Sequence, residues 1–115
     1  MTDIEKYDWS EWKPFPNPLK KGILVSPIGF GVYQLKNVRT NEFVYCGKGN
    51  NVSQRMTSLL PHPYGQGKRN NTKLRNYIWE NLNEIEYRTL TCYNENEAVE
   101  IENMIKIHHR HLFHT

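Results

Sequence analysis

The stretch that decides the fold is FGVYQLKNVRTNEFVYCG, residues 30–47. Its two halves, residues 30–36 and 42–47, alternate in polarity and are rich in β-branched and aromatic residues, which is typical of strands. Residues 37–41 between them are rich in turn-forming side chains. The stretch therefore predicts a β-hairpin.

Two helices and a loop are predicted after the hairpin. The glycines and asparagines of residues 47–51 break the second strand, and either Asn51 or Ser53 can cap a helix of about two turns. We expect this helix to run through Leu60, because Pro61 stops it. Residues 61–71 contain two prolines and two glycines without periodicity, which predicts a loop. A second helix is predicted after Thr72 from apolar residues at helical spacing, namely Leu74, Tyr77, Ile78 and Leu82.

The last third of the chain predicts a third strand and a long helix. Residues 85–91 alternate again, and Asn94 with Glu97 forms a capping-box-like pair at a helix start. Ala98, Ile101 and Ile105 trace one apolar face of that helix. The element order β-β-α-α-β-α predicts an α+β fold, with a small three-stranded antiparallel sheet flanked by helices.

The N-terminal residues predict an extended arm. Residues 1–22 contain Trp9, Trp12 and Phe15, with prolines at positions 14, 16 and 18. Prolines at alternate positions argue against both a helix and a sheet ladder. We expect the aromatics to pack onto the domain, or to contact a partner or nucleic acid. The chain is therefore divided into an arm, residues 1–29, and a domain, residues 30–115.

The composition fits one small domain in a reducing compartment. A length of 115 residues is one domain's worth of chain, and no apolar run approaches the roughly 20 residues that a membrane-spanning helix needs. The start of the chain has no basic cap followed by an apolar stretch. Cys46 and Cys92 are isolated, which argues against a disulfide scaffold or a cysteine zinc site. We therefore expect a cytoplasmic or nucleoid-associated protein that is not secreted.

Charge is segregated along the chain. The net charge of +3 combines a net −3 over residues 1–12, +10 over residues 13–77 and −4 over residues 78–115. A basic segment of this size attracts a polyanion such as nucleic acid. The alternative is that it serves solubility and pairs with the acidic last third of the chain.

Four residues around the hairpin suit a phosphate group. Tyr33 and Tyr45 are predicted on adjacent strands, each close to a glycine that would let a substrate approach the backbone. Lys48 follows at the strand end, and Arg55 lies about two helical turns further on. Arginine offers a bidentate fork for a phosphate and lysine a point charge. The alternative is a pair of ordinary strand tyrosines with two solvated bases.

The last helix supplies candidate carboxylates. Glu95 and Glu97 fall in its first turn, where they stabilise the helix dipole and need no other role. Glu100 and Glu102 lie deeper, and Glu102 flanks the apolar face. A carboxylate beside a buried face needs a partner, such as an arginine or a metal ion. A single carboxylate suits Mg²⁺, which keeps most of its waters and takes ligands from a substrate phosphate.

Taken in order, these residues resemble the GIY-YIG nuclease superfamily over roughly residues 30–110. The resemblance is carried by Gly31-Val32-Tyr33, by Val44-Tyr45-Cys46-Gly47-Lys48, by Arg55, and by the run from Glu97 to Lys106. It implies a DNA endonuclease that depends on Mg²⁺, for which Mn²⁺ can substitute.

The resemblance also implies a role for each residue. Tyr33 and Tyr45 would line the scissile phosphate and help activate the attacking hydroxyl. Lys48 and Arg55 would hold the phosphate and stabilise its developing charge. Glu102 would bind the single Mg²⁺, with Glu100 as the alternative ligand.

Two positions depart from the family pattern. Many members carry a tyrosine or histidine one turn after the arginine, where this chain has Leu59; His62 and Tyr64 are possible substitutes, and His62 is favoured. Many members also have an asparagine about a dozen residues after the glutamate, where this chain has His114. An inactive nucleic-acid-binding module on the same scaffold is therefore the alternative function. A structural or interaction domain is a third.

The basic segment is the predicted DNA-binding face. Contacts with the DNA backbone are expected from four bases, Lys68, Arg69, Lys73 and Arg75. Such contacts confer affinity without sequence choice, so specificity would come from the 61–71 loop, the arm, a homodimer or a partner protein. The C-terminal histidines have no fixed ligand spacing, and we expect them to be solvated or to face DNA.

Overall fold

The computed structural model describes residues 4–16, 29–57, 59 and 72–113. Its strands form one antiparallel sheet in the spatial order β1-β4-β2-β3. The strands are β1 (Lys13–Pro14), β2 (Gly31–Asn37), β3 (Glu42–Gly49) and β4 (Ile85–Thr91). The helices are α1 (Val52–Thr57), α2 (Thr72–Glu80) and α3 (Glu95–His108), with short 3₁₀ turns at Ile4–Lys6 and Leu82–Glu84.

The predicted hairpin is confirmed as the pairing of β2 with β3. Tyr33 lies opposite Gly47, and Leu35 lies opposite Tyr45. The register shifts after Leu35, so that Lys36 pairs with Phe43 and Val44 is the extra residue of a bulge. The bulge locally increases the twist of this pair without disturbing the Tyr33–Gly47 register.

The turn between β2 and β3 is held by its own polar side chains. The Asn37 side-chain oxygen accepts hydrogen bonds from the backbone N–H groups of Arg39, at 2.9 Å, and Thr40, at 3.2 Å. Asn41 adopts φ 59°, a left-handed conformation that asparagine tolerates better than most residues. These local bonds explain why the sequence pattern alone locates the turn.

The predicted start of the last helix is also confirmed. The Asn94 side chain accepts a hydrogen bond from the Glu97 backbone N–H at 2.9 Å, which is an N-cap interaction. The structure describes the first helix over Val52–Thr57, and the predicted helix end at Leu60 lies outside the described residues.

The α+β class is confirmed, but the prediction of three strands is wrong. Residues of the N-terminal arm form the fourth strand, in which Lys13 pairs with Tyr87 and Pro14 with Glu86. A proline is tolerated there because β1 lies at the sheet edge, where one side of the strand needs no N–H donor. Phe15 then bonds to the Ile85 carbonyl through its backbone N–H and is buried.

Apolar side chains cover both faces of the sheet. Tyr33, Leu35 and Tyr45 pack with residues of α1 and α2 on one face, which we call the phenol face. Val32 and Cys46 pack with α3 on the other, which we call the α3 face. Neighbouring strand residues point to opposite faces, so the two faces alternate along β2 and β3. Among the described residues, no helix has the length and apolar character that a membrane span requires.

Candidate functional site

Two of the predicted phosphate-binding residues line the same cleft. Lys48 and Arg55 border a cleft of about 360 Å³ at the end of β3, between α1 and the first turns of α3. The Arg55 side chain lies against Gly49, and a Cβ atom at that position would overlap it. The absence of a side chain at Gly49 thus lets the stem of Arg55 pack on β3. The other lining residues are Phe30, Gly49, Asn50, Glu95 and Ala98.

The two tyrosines lie together on the phenol face, but neither lines this cleft. Their ring centroids are 6.0 Å apart at an angle of 43°. Tyr33 is 0% exposed and Tyr45 2% exposed. The Tyr33 hydroxyl lies so close to Gly47 that a Cβ atom there would overlap it. In this conformation both phenols are part of the apolar core, and a phosphate has no access to them.

Glu102 lies on the α3 face. Its carboxylate accepts a hydrogen bond from Lys106 at 3.1 Å, and the two side chains are 13% and 28% exposed. Burial, together with the negative charge of Glu102, raises the pKa of the Cys46 thiol to about 12. Cys46 and Lys48 are two residues apart on β3 and therefore share a face. Ala98, which lines the cleft, lies one helical turn before Glu102.

The five residues to which the resemblance gives roles at the scissile phosphate are thus divided between two faces of the sheet. Lys48 and Glu102 lie on the α3 face, and Glu102 does not line the cleft. Arg55 belongs to α1, which covers the phenol face, and packs on Gly49, which shares that face with Tyr45. The alternation of β3 produces this separation, because Tyr45 and Cys46 are neighbours that point to opposite faces.

Two residues near the site were missed by the sequence reasoning. Glu95, to which the sequence analysis gave no role other than stabilising the helix dipole, lines the cleft together with Lys48 and Arg55. Lys106 is the partner of the half-buried Glu102, and the four-residue spacing of this pair on a helix was the signal for it.

Glu102 fits Mg²⁺ only as a site that water and substrate would complete. It offers carboxylate oxygens, the ligand type that Mg²⁺ prefers, and the ion pair with Lys106 uses only one of the two. Among the described residues, no group of three or more His, Cys, Asp or Glu side chains is arranged to hold a metal ion. The described residues therefore do not form a complete metal site by themselves.

The other predicted residues fall partly outside the described structure. His62, Lys68, Arg69 and His114 lie outside the described residues. Lys73 is exposed and Arg75 half-buried, and both belong to α2. Leu59, at the position where the family often has a tyrosine or histidine, is fully buried in the core of the phenol face.

A second polar cluster, absent from the sequence-based predictions, joins the arm to the end of the chain. Arg88 of β4 is only 3% exposed, and its guanidinium donates to both carboxylate oxygens of Glu5, at 2.6 and 3.0 Å. It also lies over the rings of Trp9 and Trp12, at 4.1 and 4.6 Å from their centroids. These contacts hold the arm against the sheet through two cation–π interactions and an ion pair.

The other side of this cluster contains two of the C-terminal histidines. The side-chain oxygen of the buried Gln34 accepts hydrogen bonds from Arg88 at 2.7 and 3.0 Å, which fixes its amide orientation. Its nitrogen then donates to His109 Nδ1 and to His111 Nε2, both at 3.0 Å. The expectation that the C-terminal histidines are solvated is wrong for His111, which is 4% exposed. Phe43 stacks on His109 with ring centroids 4.3 Å apart.

We expect the stability of the fold to fall between pH 7.5 and pH 5.5. Both imidazoles must be neutral to accept from Gln34, and burial lowers the pKa of His109 below its usual value of 6.5. The unfolded chain therefore takes up a proton first, so stability is present above pH 6.5 and is lost as the pH falls below it. Urea denaturation at the two pH values measures the loss.

The control for this effect is His109→Gln, which keeps a polar side chain that does not titrate. Its stability should change less across the same pH interval than that of the wild type. Equal pH slopes for the two proteins would contradict the role given to His109. The interval lies above the region in which Glu5 titrates, because hydrogen bonding to Arg88 lowers the pKa of Glu5 below 4.5.

Comparisons of the chain with models of known protein families, with curated proteins and with solved structures return no match. Any assignment of this chain to a class of protein therefore depends on its own residues and geometry.

Proposed function

We propose that this chain is a metal-dependent DNA endonuclease of the GIY-YIG type. The single observation that carries the proposal is the cleft shared by Lys48 and Arg55, with Glu102 one helical turn beyond its α3 wall. Two cations and one carboxylate at the end of a hairpin that bears both tyrosine motifs are the groups that phosphodiester hydrolysis needs. The free, buried cysteines Cys46 and Cys92 suit action in the cytoplasm or on the nucleoid.

Lys48 and Arg55 would bind the scissile phosphate and stabilise the negative charge that develops on it. Arg55 is exposed on α1, and Lys48 is half-buried at the end of β3, so the two cations approach the cleft from different elements. Binding from two directions fixes the orientation of a phosphate better than a surface cluster of flexible lysines does. Because charge accumulates in the transition state, these contacts would raise turnover as well as affinity.

Glu102 would be the carboxylate that holds the metal ion. When bound, Mg²⁺ would supply Lewis-acid stabilisation of the phosphate oxygens. Lys106 bonds to one oxygen of Glu102, Oε1, so the other oxygen could hold the metal ion while this ion pair is kept. Tyr33 and Tyr45 would act on the attacking hydroxyl only in a conformation that exposes them, since both hydroxyls are closed to substrate in the conformation described.

A second candidate is a nucleic-acid-binding module that has lost catalysis. It is favoured by the burial of both phenols and by their position on the sheet face opposite Glu102. This candidate keeps the basic segment of residues 13–77 and predicts salt-dependent binding to DNA without cleavage.

Arg55→Ala and Lys48→Ala are each expected to lower single-turnover cleavage of a labelled DNA duplex by about 10² to 10³-fold. The loss should persist at saturating enzyme, because each residue stabilises the transition state in addition to binding the phosphate. The assay compares each variant with the wild type in Mg²⁺ and in EDTA.

Lys73→Ala and Arg75→Ala on α2 are the matched controls, because they also remove one positive charge each. They are expected to weaken binding and to reduce its salt dependence, while the rate at saturating enzyme stays unchanged. If Arg55→Ala and Lys48→Ala weakened DNA binding but cleaved at the wild-type rate at saturating enzyme, the catalytic role of these residues would be contradicted.

A further inference from the structure

The cleft contains more than a phosphate-binding site. Beside Lys48 and Arg55 it has an apolar wall formed by Phe30 and Ala98, and a carboxylate, Glu95. Its volume of about 360 Å³ falls in the range of pockets that hold small organic ligands, roughly 300 to 1,000 Å³. A phosphate alone would leave most of this space unfilled.

The substrate itself supplies a group for the remaining space. Every phosphodiester carries a nucleoside on each side, and a flat aromatic base packs well against an aromatic wall such as Phe30. In the described part of the chain, Glu95 and Lys48 form no ion pair with each other. The Glu95 carboxylate is exposed at the first position of α3, so its oxygens are available to a ligand in the cleft.

A carboxylate selects among the bases because it can only accept hydrogen bonds. Guanine presents two neighbouring donors, N1–H and N2–H₂, which match the two oxygens of a carboxylate. Thymine presents one N–H between two carbonyl oxygens, which repel a carboxylate. Adenine and cytosine each offer one amino group beside a ring-nitrogen acceptor.

We propose that the cleft binds the base of the nucleotide next to the scissile phosphate and that Glu95 gives it a preference for an unpaired guanine. The guanine must be unpaired because N1–H and N2–H₂ lie on its Watson–Crick edge, which a duplex occupies. The inference rests on the proposed function and names its substrate class, DNA with an unpaired nucleotide at the cleavage site.

Binding of mononucleotides to the full chain tests the inference without requiring activity. Deoxyguanosine 5′-monophosphate and thymidine 5′-monophosphate are titrated into labelled protein, and the amide signals of Gly49 and Asn50 are followed by NMR. We expect the guanine nucleotide to bind about 5 to 100-fold more tightly, the range of a good bidentate contact. Glu95→Gln should abolish this preference, whereas Glu80→Gln, an exposed glutamate of α2 that does not line the cleft, should keep it.

Cleavage of oligonucleotides with each base unpaired beside the target phosphate separates this inference from the proposed function. Cleavage without base preference, together with equal binding of the two nucleotides, would overturn the inference and leave the nuclease assignment standing. Glu95-dependent guanine binding by a chain that cleaves no DNA would support the subsite and remove the nuclease assignment.

Discussion

We expect Glu102→Gln to lose nearly all Mg²⁺-dependent cleavage and to keep its affinity for DNA. The substitution retains the shape of the side chain but removes the charge that a divalent cation needs, so the metal would no longer be held beside the phosphate. Binding should persist because the cations that contact the phosphates are on other elements, with Lys48 on β3 and Arg55 on α1. Single-turnover cleavage and a binding titration in EDTA measure the two effects separately.

Glu100→Gln is the matched control for this prediction. Glu100 is exposed, lies two residues away on α3 and is the alternative metal ligand in the sequence analysis. Its variant should cleave at the wild-type rate. Normal cleavage by Glu102→Gln together with lost cleavage by Glu100→Gln would show that Glu100, and not Glu102, is the metal ligand. Normal cleavage by both variants would remove the carboxylate from the mechanism.

Arg88→Ala is expected to destabilise the fold by about 1–3 kcal/mol, the cost of leaving a buried polar group without its hydrogen-bond partner. The substitution leaves the buried Gln34 oxygen without the two N–H donors of Arg88. It also removes the ion pair with the exposed Glu5 and the packing of the guanidinium on Trp9 and Trp12. Unsatisfied buried polar groups and lost packing both disfavour the folded state. Urea denaturation at pH 7.5 measures the change in the free energy of unfolding.

Arg39→Ala provides the comparison for an arginine on the surface. Arg39 also donates to a carboxylate, that of Glu84 at 2.7 Å, but its side chain is 63% exposed. An exposed ion pair is screened by water and adds little to stability, so this variant should remain close to the wild type. If Arg88→Ala were no more destabilised than Arg39→Ala, the polar cluster would not be holding the arm and the chain end together.

Local signals were sufficient to predict the elements that lie close together in sequence. The β2–β3 hairpin follows from alternation on both sides of an asparagine-rich turn, and the bonds from Asn37 to Arg39 and Thr40 are local. The start of α3 follows from Asn94, whose side chain bonds only three residues ahead. In both cases the hydrogen-bonded residues are close together in the chain, so the local sequence pattern is enough to predict the contact.

Contacts between distant residues were not predictable in the same way. The pairing of Lys13 with Tyr87 joins positions more than 70 residues apart, and a proline in that strand argued against it. The bonds that Gln34 makes to Arg88 and His111 are similarly long-range. In the sequence, Gln34, Arg88 and His111 cannot be told from ordinary polar residues of a strand or a chain end, because only the folded structure places them in contact.

The arrangement of the candidate site depends on which sheet face each helix covers. Alternation shows that Tyr45 and Cys46 point to opposite faces, but it does not show that α3 covers the face of Cys46. That choice depends on how the chain crosses from β4 into α3. The sequence therefore suggests candidate residues for a site, but it does not show how they are divided between the two faces of the sheet.

Wild-type protein on supercoiled plasmid DNA tests most directly whether this chain cleaves phosphodiester bonds with a metal ion. The plasmid is incubated in Mg²⁺, Mn²⁺ or EDTA, and binding is titrated beside it at two salt concentrations. We predict nicked or linear DNA in both metals, intact plasmid in EDTA, and binding that weakens with salt. Intact plasmid under all conditions, with salt-dependent binding retained, would contradict the nuclease and leave a nucleic-acid-binding module.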